Sequence, residues 1–288
     1  MSSSPLNTKE DQRKILQDDD HMRDMERLEL EVIGVTYPFA TVGRVSGRIE
    51  TAQPALWSVP NVAVRLEIAV PGEARPASRI YTIRSFDPAT STVEIDFVLH
   101  PDDSPAMQWL RSAQPGSRIP MTGPRPHFRP APQAQKQVAI FADETAIPAV
   151  YAILKDWPEG TKGSIWIETP EPGAVAELPR PAGVTCQLLL RGENEAPGTT
   201  GRLVAVAQSE IATPQNWTVW AAGERQEMRA LRSHFQREGL SRADLQVIGY
   251  WRRGTSSSEL DEVRLNAYAD LRARGLTMDD LSDAELPI

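Results

Sequence analysis

A single cysteine, Cys186, stands in 288 residues. That excludes an internal disulfide and any zinc or iron–sulfur site needing several thiolates. The four histidines, at 21, 100, 127 and 234, are scattered, with no two at metal-ligand spacing, so no protein-bound metal is expected. No apolar run approaches the roughly 18 residues that span a bilayer. The stretch from Met1 to Asp20 is polar and acidic, without the apolar core of a signal peptide. The patterns G-x-x-x-x-G-K-[ST], G-x-G-x-x-G, G-x-S-x-G and H-E-x-x-H are all missing. Their absence removes the P-loop, the common dinucleotide fingerprint, the nucleophile elbow and the zinc-peptidase helix.

What is present is a globular composition, 40% hydrophobic and 24% charged, able to bury a sizeable core. At about 150 residues per domain, the length suggests two domains. With 31 Lys+Arg against 39 Asp+Glu the net charge is −8, which disfavours a nucleic-acid or anionic-membrane partner. A cytoplasmic protein without membrane insertion is expected.

The pattern along the chain divides it. Residues 1–27 read as a flexible N-terminal segment. Leu28–Thr36, Thr41–Ile49, Asn61–Val70, Arg79–Phe86 and Thr92–Leu99 are β-rich runs separated by Pro, Gly, Asn and Asp. Such spacing favours an antiparallel barrel or sandwich. A short helix is expected over Met107–Ser112, and then prolines 115, 120, 124, 126, 130 and 132 mark the domain linker. From Gln137 onward strand and helix alternate: strands at Val138–Ala142, Ser164–Glu168, Val184–Leu190, Thr218–Ala222 and Leu245–Gly249, helices at Thr145–Asp156 and Glu224–Glu238. Alternation of this kind signals a parallel α/β sheet, which binds ligands outside the carboxyl ends of its strands. An amphipathic helix is expected over about Glu259–Arg274.

The hexamer Arg79-Ile80-Tyr81-Thr82-Ile83-Arg84 carries the most chemistry. Tyr81 can offer a ring face to a planar heterocycle, and Thr82 a hydroxyl and backbone N–H to its polar edge. Arg79 and Arg84 can clamp a pyrophosphate. Strand alternation puts Arg79 and Tyr81 on one face and Thr82 and Arg84 on the other. A flavin nucleotide must then wrap the strand end, or the strand must bulge. The plain alternative is a β-strand with two solvated arginines.

These residues resemble the siderophore-interacting proteins, flavin-dependent ferric-siderophore reductases of the ferredoxin–NADP reductase-like superfamily. The hexamer resembles that family's R-x-Y-T-x-R flavin motif. Val93–His100 resembles its next strand, with Asp96 and a terminal histidine beside the cofactor; Phe141–Ala149 resembles its G-D-E-T-A-x-P-A turn. Gly249-Tyr250-Trp251-Arg252-Arg253-Gly254 matches its G-Y-W-R-R-G signature. Two departures stand out. His100-Pro101-Asp102-Asp103-Ser104-Pro105-Ala106 replaces H-G-x-x-G-P-A and lacks both glycines, and Ala142 replaces the glycine before Asp143.

The resemblance implies a fold that is α/β plus all-β. A six-stranded antiparallel FAD-binding β-barrel (28–132) would precede a parallel α/β NAD(P)H-binding domain (133–254) and a C-terminal helical extension (255–288). It implies FAD with NADPH or NADH as cofactors, and Arg79, Tyr81, Thr82, Arg84, Asp96, Val98, His100, Ala106, Trp109, Asp143, Thr145, Ala146 and Trp251 as cofactor contacts. Thr145 would also be an ordinary N-cap, and Ala222-Gly223-Glu224 resembles a turn that meets the nicotinamide cofactor. No residue need act as a catalytic nucleophile. The ferric siderophore would be the substrate of a monomeric enzyme. The acidic C-terminal tail resembles that of a branch accepting NADH or reduced ferredoxin, which leaves the donor open.

Charge adds a separate argument for the substrate. No Asp or Glu lies between Pro105 and Ala142, yet Arg111, Arg118, Arg125, Arg129 and Lys136 do. With Arg252 and Arg253 this stretch would form a basic mouth for a bulky anion. Arg48, Arg125, Arg129, Arg252 and Arg253 are the substrate candidates, Arg125 and Arg253 first; a solvated face or a cofactor phosphate is the plain alternative. A general flavin reductase or diaphorase, a ferredoxin-coupled oxidoreductase and a non-turnover siderophore- or flavin-binding protein remain open beside the reductase reading.

Overall fold

The computed structural model describes residues 25–133, 135–255 and 259. Six antiparallel strands close into a barrel in the order β1-β2-β5-β4-β3-β6. They are β1 (Glu26–Phe39), β2 (Val42–Arg48), β3 (Val62–Ile68), β4 (Ala77–Asp87), β5 (Thr92–Val98) and β6 (Arg118–Pro126). Alternation drives the closure. In β5, Val93, Ile95 and Phe97 are fully buried, while the residues between them are not. They meet Leu30, Val45, Leu66, Ile119 and Met121 in one core. Two short helices cover the barrel, α1 (Pro54–Trp57) and α2 (Pro105–Ser112).

One expectation fails here. The prolines predict a linker from Pro120, yet Arg118–Pro126 is the sixth barrel strand. Its pairing with β3 slips between Ala63 and Arg65, opposite Arg125 and Thr122. Pro124 sits in that bulge, where no ladder donor is required. The connection between the two halves therefore begins after Pro126.

The second half is a parallel sheet in the order β11-β10-β7-β8-β9. Its strands are β7 (Gln137–Asp143), β8 (Gly163–Thr169), β9 (Val184–Leu190), β10 (Trp217–Glu224) and β11 (Leu245–Trp251). In β7 every residue from Val138 to Asp143 is buried, as expected where helices cover both faces. Val138, Ile140 and Ala142 pack on α3 (Ile147–Lys155) and α4 (Pro172–Ala176); Ala139 and Phe141 pack on α5 (Arg202–Glu210) and α6 (Arg225–Arg237). The chain moves outward from β7 to β9, then returns to the other side of β7 with β10. The switch point is the crevice between the carboxyl ends of β7 and β10.

Apart from Glu259, the expected helix at Glu259–Arg274 lies outside the described residues, as does nearly all of the N-terminal segment. Arg27 and its neighbour Glu26 already belong to β1.

Candidate functional site

The hexamer lies in β4, and the strand does bulge. Ile83 pairs with Ile95 but Ser85 with Glu94, so Arg84 is the extra residue. Tyr81 stays with the barrel interior, its ring centroid 4.2 Å from that of Phe97, which in turn lies 5.7 Å from Trp109 of α2. Burial pushes the Tyr81 phenol well above its ordinary pKa. Arg79 is buried beside it and donates to the Ser78 carbonyl at 2.8 Å.

The bulge turns Arg84 away from the role first expected of it. It is 1% exposed, its guanidinium carbon lies 3.7 Å over the Tyr151 ring, and its nitrogens reach Asp96 (3.3 Å) and Glu177 (2.8 Å). Asp96 is engaged as well, by Arg44 Nε at 2.6 Å. With its guanidinium engaged by Asp96, Glu177 and the Tyr151 ring, Arg84 is not placed to clamp a phosphate, and Asp96 is held by Arg44 and Arg84.

Beyond β5 the strand end opens. Val98 is half-buried and His100 exposed, and the turn leads into α2. Ala106 is buried at its first turn, and Ser104 precedes the helix without capping it through its side chain. The helix has no acid in its first turn, so its first N–H groups remain available to an anion. The departure from the glycine pattern places Asp102 and Asp103 there instead. Gln108 draws Asp103 aside with a 3.0 Å bond, and Arg111 pairs with it too. The aromatic pair, buried Arg79 and an uncapped helix start fit a flavin nucleotide.

The two halves meet at Thr82. Tyr250 of β11 is hydrogen-bonded to Thr82 and donates to Asn61 Oδ1 at 3.3 Å. Asn61 is 1% exposed and holds a left-handed backbone (φ 59°), which asparagine tolerates better than most residues. Its amide donates to the Phe128 carbonyl at 2.5 Å, which also accepts from Trp220 Nε1 at 2.9 Å. Neither Asn61 nor Trp220 follows any spacing rule; the Pro60-Asn61 turn signal is the only hint of the first.

At the switch point Trp251 reaches over β10. Its Nε1 donates to Asp143 Oδ2 at 2.7 Å, and Asp143 Oδ1 accepts from the Thr145 N–H (2.9 Å) and hydroxyl (2.5 Å). Asp143 thus caps the 3-10 turn Glu144–Ala146, in which Ala146 is buried. Its carboxyl is pushed up to about 7, first by burial and then by the Glu144 charge. Glu144 pairs with Arg191 at 2.5 Å, and Glu168 accepts from the Thr200 hydroxyl at 2.5 Å. Glu224 caps α6 through the N–H groups of Gln226 and Glu227, and takes a 3.1 Å bond from the Arg253 N–H. Glu227 of α6 is 8% exposed and is pushed up to about 7 by burial and then by Glu168.

The basic mouth is narrower than the charge count suggests. Arg118 bonds Glu31 at 3.0 Å, Lys136 bonds Asp244 at 2.8 Å, Arg129 lies 4.0 Å from Asp156, and Arg111 pairs with Asp103. Those acids lie far away in sequence or just outside the stretch, and the fold returns them to it. Among the described residues Arg125 is the exception. It is exposed, pairs in register with Ala63, and Ala63 pairs with Thr82, so it stands two strands from the junction. Arg252 and Arg253 are exposed next to Trp251. Arg48 is not part of this group: it pairs with Thr92, at the opposite end of β5 from Val98. Six residues of strand, about 20 Å, separate those ends.

A closed antiparallel barrel joined to a parallel sheet, with a crevice at the sheet's switch point, defines a ferredoxin–NADP⁺ reductase-like fold. The same fold is found in ferredoxin–NADP⁺ reductase from Plasmodium falciparum (TM-score 0.59, 11% identity, covering 78% of this chain and 97% of that one). The chain belongs to the siderophore-interacting protein family: residues 135–254 match the siderophore-interacting protein pattern and residues 50–128 the siderophore-interacting FAD-binding domain. It is 42% identical over 280 residues to ferric acinetobactin reductase of Acinetobacter baumannii, covering 97% of each chain. It is 28% identical over 199 residues to ferric vibriobactin reductase ViuB of Vibrio cholerae, covering 67% of this chain and 70% of that one. The solved siderophore-interacting protein from A. baumannii superposes with a TM-score of 0.81 at 43% identity, covering 87% of this chain and all (100%) of the other. Among the described residues no helix is long and apolar enough to cross a membrane.

Proposed function

We infer that the chain is a flavin-dependent ferric-siderophore reductase. It draws reducing equivalents from NADPH or NADH and releases the iron of a ferric siderophore as Fe(II). When bound, FAD supplies chemistry that no side chain here has, accepting a hydride and giving up electrons singly. The observation that carries the reading is the junction beside the flavin motif, where Tyr250, on the strand that carries Trp251, bonds Asn61 just before β3, the strand paired with Thr82.

The side chains then divide the work. Arg79, Tyr81, Thr82, Val98, His100, Ala106 and Trp109 hold FAD on the barrel. Asp143, Thr145, Ala146 and Trp251 shape the crevice that receives the nicotinamide donor. Arg125, Arg252 and Arg253 concentrate an anionic ferric chelate at the junction, with Arg129 on the linker as a weaker contributor. The reading extends to a monomer in the cytoplasm, with reduced ferredoxin as an alternative donor on the strength of the resemblance of its C-terminal tail.

Steady-state assays test it. With FAD loaded and NADPH or NADH supplied, a ferric catecholate or hydroxycarboxylate siderophore should yield Fe(II), captured by a ferrous chelator. Quinones or free flavin turned over much faster than any ferric siderophore would replace this reading with a general diaphorase.

A further inference from the structure

β4 carries its flavin motif and its contact with the other half on consecutive residues. Past Thr82, the bulge aims Arg84 outward between the barrel and α3, where the Tyr151 ring lies beneath it. Arg44 of β2 approaches from the side. It grips Asp96 with two bonds (2.6 and 3.0 Å) and Glu177 with two more (2.7 and 3.0 Å). Glu177 is the residue that closes α4, so one carboxylate from the parallel-sheet half engages two arginines of the barrel. Phe39 of β1 also closes on α4, at Gly173, where an added Cβ would fall 2.7 Å from its ring.

We propose that Arg44, Arg84 and Glu177 are positioning residues that set how the parallel sheet sits against the barrel, and so the gap between the nicotinamide donor and the flavin. This rests on the reductase reading above. Three features support it. The four charges, two guanidinium and two carboxylate, cancel, so the network is balanced only when the halves are together. Asp96 alone cannot satisfy both arginines. The side chains of Arg44, Arg84 and Asp96 are buried while Glu177 stands about one third exposed at the rim of the seam, so desolvation offsets much of the attraction and the pairs bear on geometry more than on net stability.

Packing at the seam also leaves orientation to the ions. Beside Arg84 lies an open cavity of about 220 Å³ lined by Trp57, Val59, Phe86, Ala152 and Lys155. That part of the seam opens to solvent and is not held by close packing, so there the two bonds from Arg44 to Glu177 hold the halves, while Phe39 against Gly173 packs the seam elsewhere. Burial weakens the hold of Arg84 on its own proton, while Arg44, with burial outweighed by its bonds to Glu177 and Asp96, is held firmly charged.

The test uses the FAD-loaded full chain with Glu177→Gln and Glu177→Ala. Three readouts are taken: FAD content by absorbance, amide hydrogen exchange across the seam, and the two half-reactions measured separately. The network requires unchanged FAD content, faster exchange in α3 and α4 but not in the β1–β6 ladder, and flavin reduction at saturating nucleotide slowed about tenfold. Reoxidation at a saturating ferric siderophore, which does not depend on the gap between nicotinamide and flavin, should keep its rate, although its KM rises because Arg252 and Arg253 follow β11 in the half that shifts. Unchanged exchange and reduction in Glu177→Ala would overturn the proposal. So would equal losses in both half-reactions with loss of FAD, since that describes a stability defect. If the unaltered protein's flavin is reduced by neither nucleotide, the donor reading fails, and the exchange comparison still decides the network.

Discussion

Trp251 Nε1 and Asp143 Oδ2 lie 2.7 Å apart, although their strands are not neighbours: β10 runs between β11 and β7. The bond passes over Gly223 of β10, whose missing side chain makes room for it. An added Cβ there would fall 2.7 Å from Asp143 Oδ2 and 2.8 Å from Cγ. A buried carboxylate already held by Thr145 and Trp251 has nowhere to go.

Gly223→Ala should therefore cost about 1–3 kcal/mol and displace the Trp251–Asp143 bond. Kinetically, the KM for NADPH or NADH should rise several-fold while FAD content is retained, because the flavin motif lies in the other half. Denaturant unfolding and donor titrations check the two parts.

Glu227 provides a pH signature. Its folded carboxyl titrates near 7, above the ordinary carboxylate value of 4.5. The folded state therefore binds this proton more tightly than the unfolded state. The stability tied to it is complete below about 4.5 and is lost as pH rises through 7. Glu227→Gln removes that loss. Relative to the native chain it should gain on the order of 2 kcal/mol between pH 4.5 and pH 8, read from unfolding curves at both. His127, held down to about 4 by burial and then by the Arg125 charge, gives the opposite slope in both proteins and cancels from the comparison.

Arg125 and Arg118 separate the site from the rest of the basic stretch. Arg125→Gln should raise the KM for an anionic ferric siderophore about three- to tenfold, an effect that shrinks as salt is added. Arg118→Gln, on a residue occupied by Glu31, should change nothing. Flavin reduction by the nucleotide should be unaltered in both.

Tyr81 offers a ring whose environment is apolar on the Phe97 side. Tyr81→Phe should keep both stability and FAD, whereas Tyr81→Ala should cost roughly 2–4 kcal/mol and weaken FAD binding. Absorbance of the purified protein and a flavin titration distinguish them.

Much of the fold was legible because its patterns are local. The alternation of Val93, Ile95 and Phe97 identifies a barrel strand, and Val184–Leu190 is found with the bounds its sequence suggests. β6 was not legible, since its prolines argue against a strand until a bulge absorbs Pro124. Helix α5 escaped notice because Gly201 precedes it in a left-handed conformation, with no capping side chain and no acid in its first turn. The motifs place Tyr81 and Thr82 on β4 and Trp251 on β11, while the partners of Arg84 and Asp96 come from far off in sequence. Arg44 and Glu177 are 133 residues apart, and no periodicity brings them together.

The most direct measurement is an anaerobic two-step mixing experiment on the FAD-loaded protein. NADPH or NADH is added first, and a ferric siderophore with a ferrous chelator second, following flavin absorbance throughout. The structure predicts bleaching by at least one nucleotide, then return of the flavin absorbance with two Fe(II) captured per flavin. A protein that takes up no FAD, or whose reduced flavin stays bleached in the presence of every ferric siderophore tried, would contradict it.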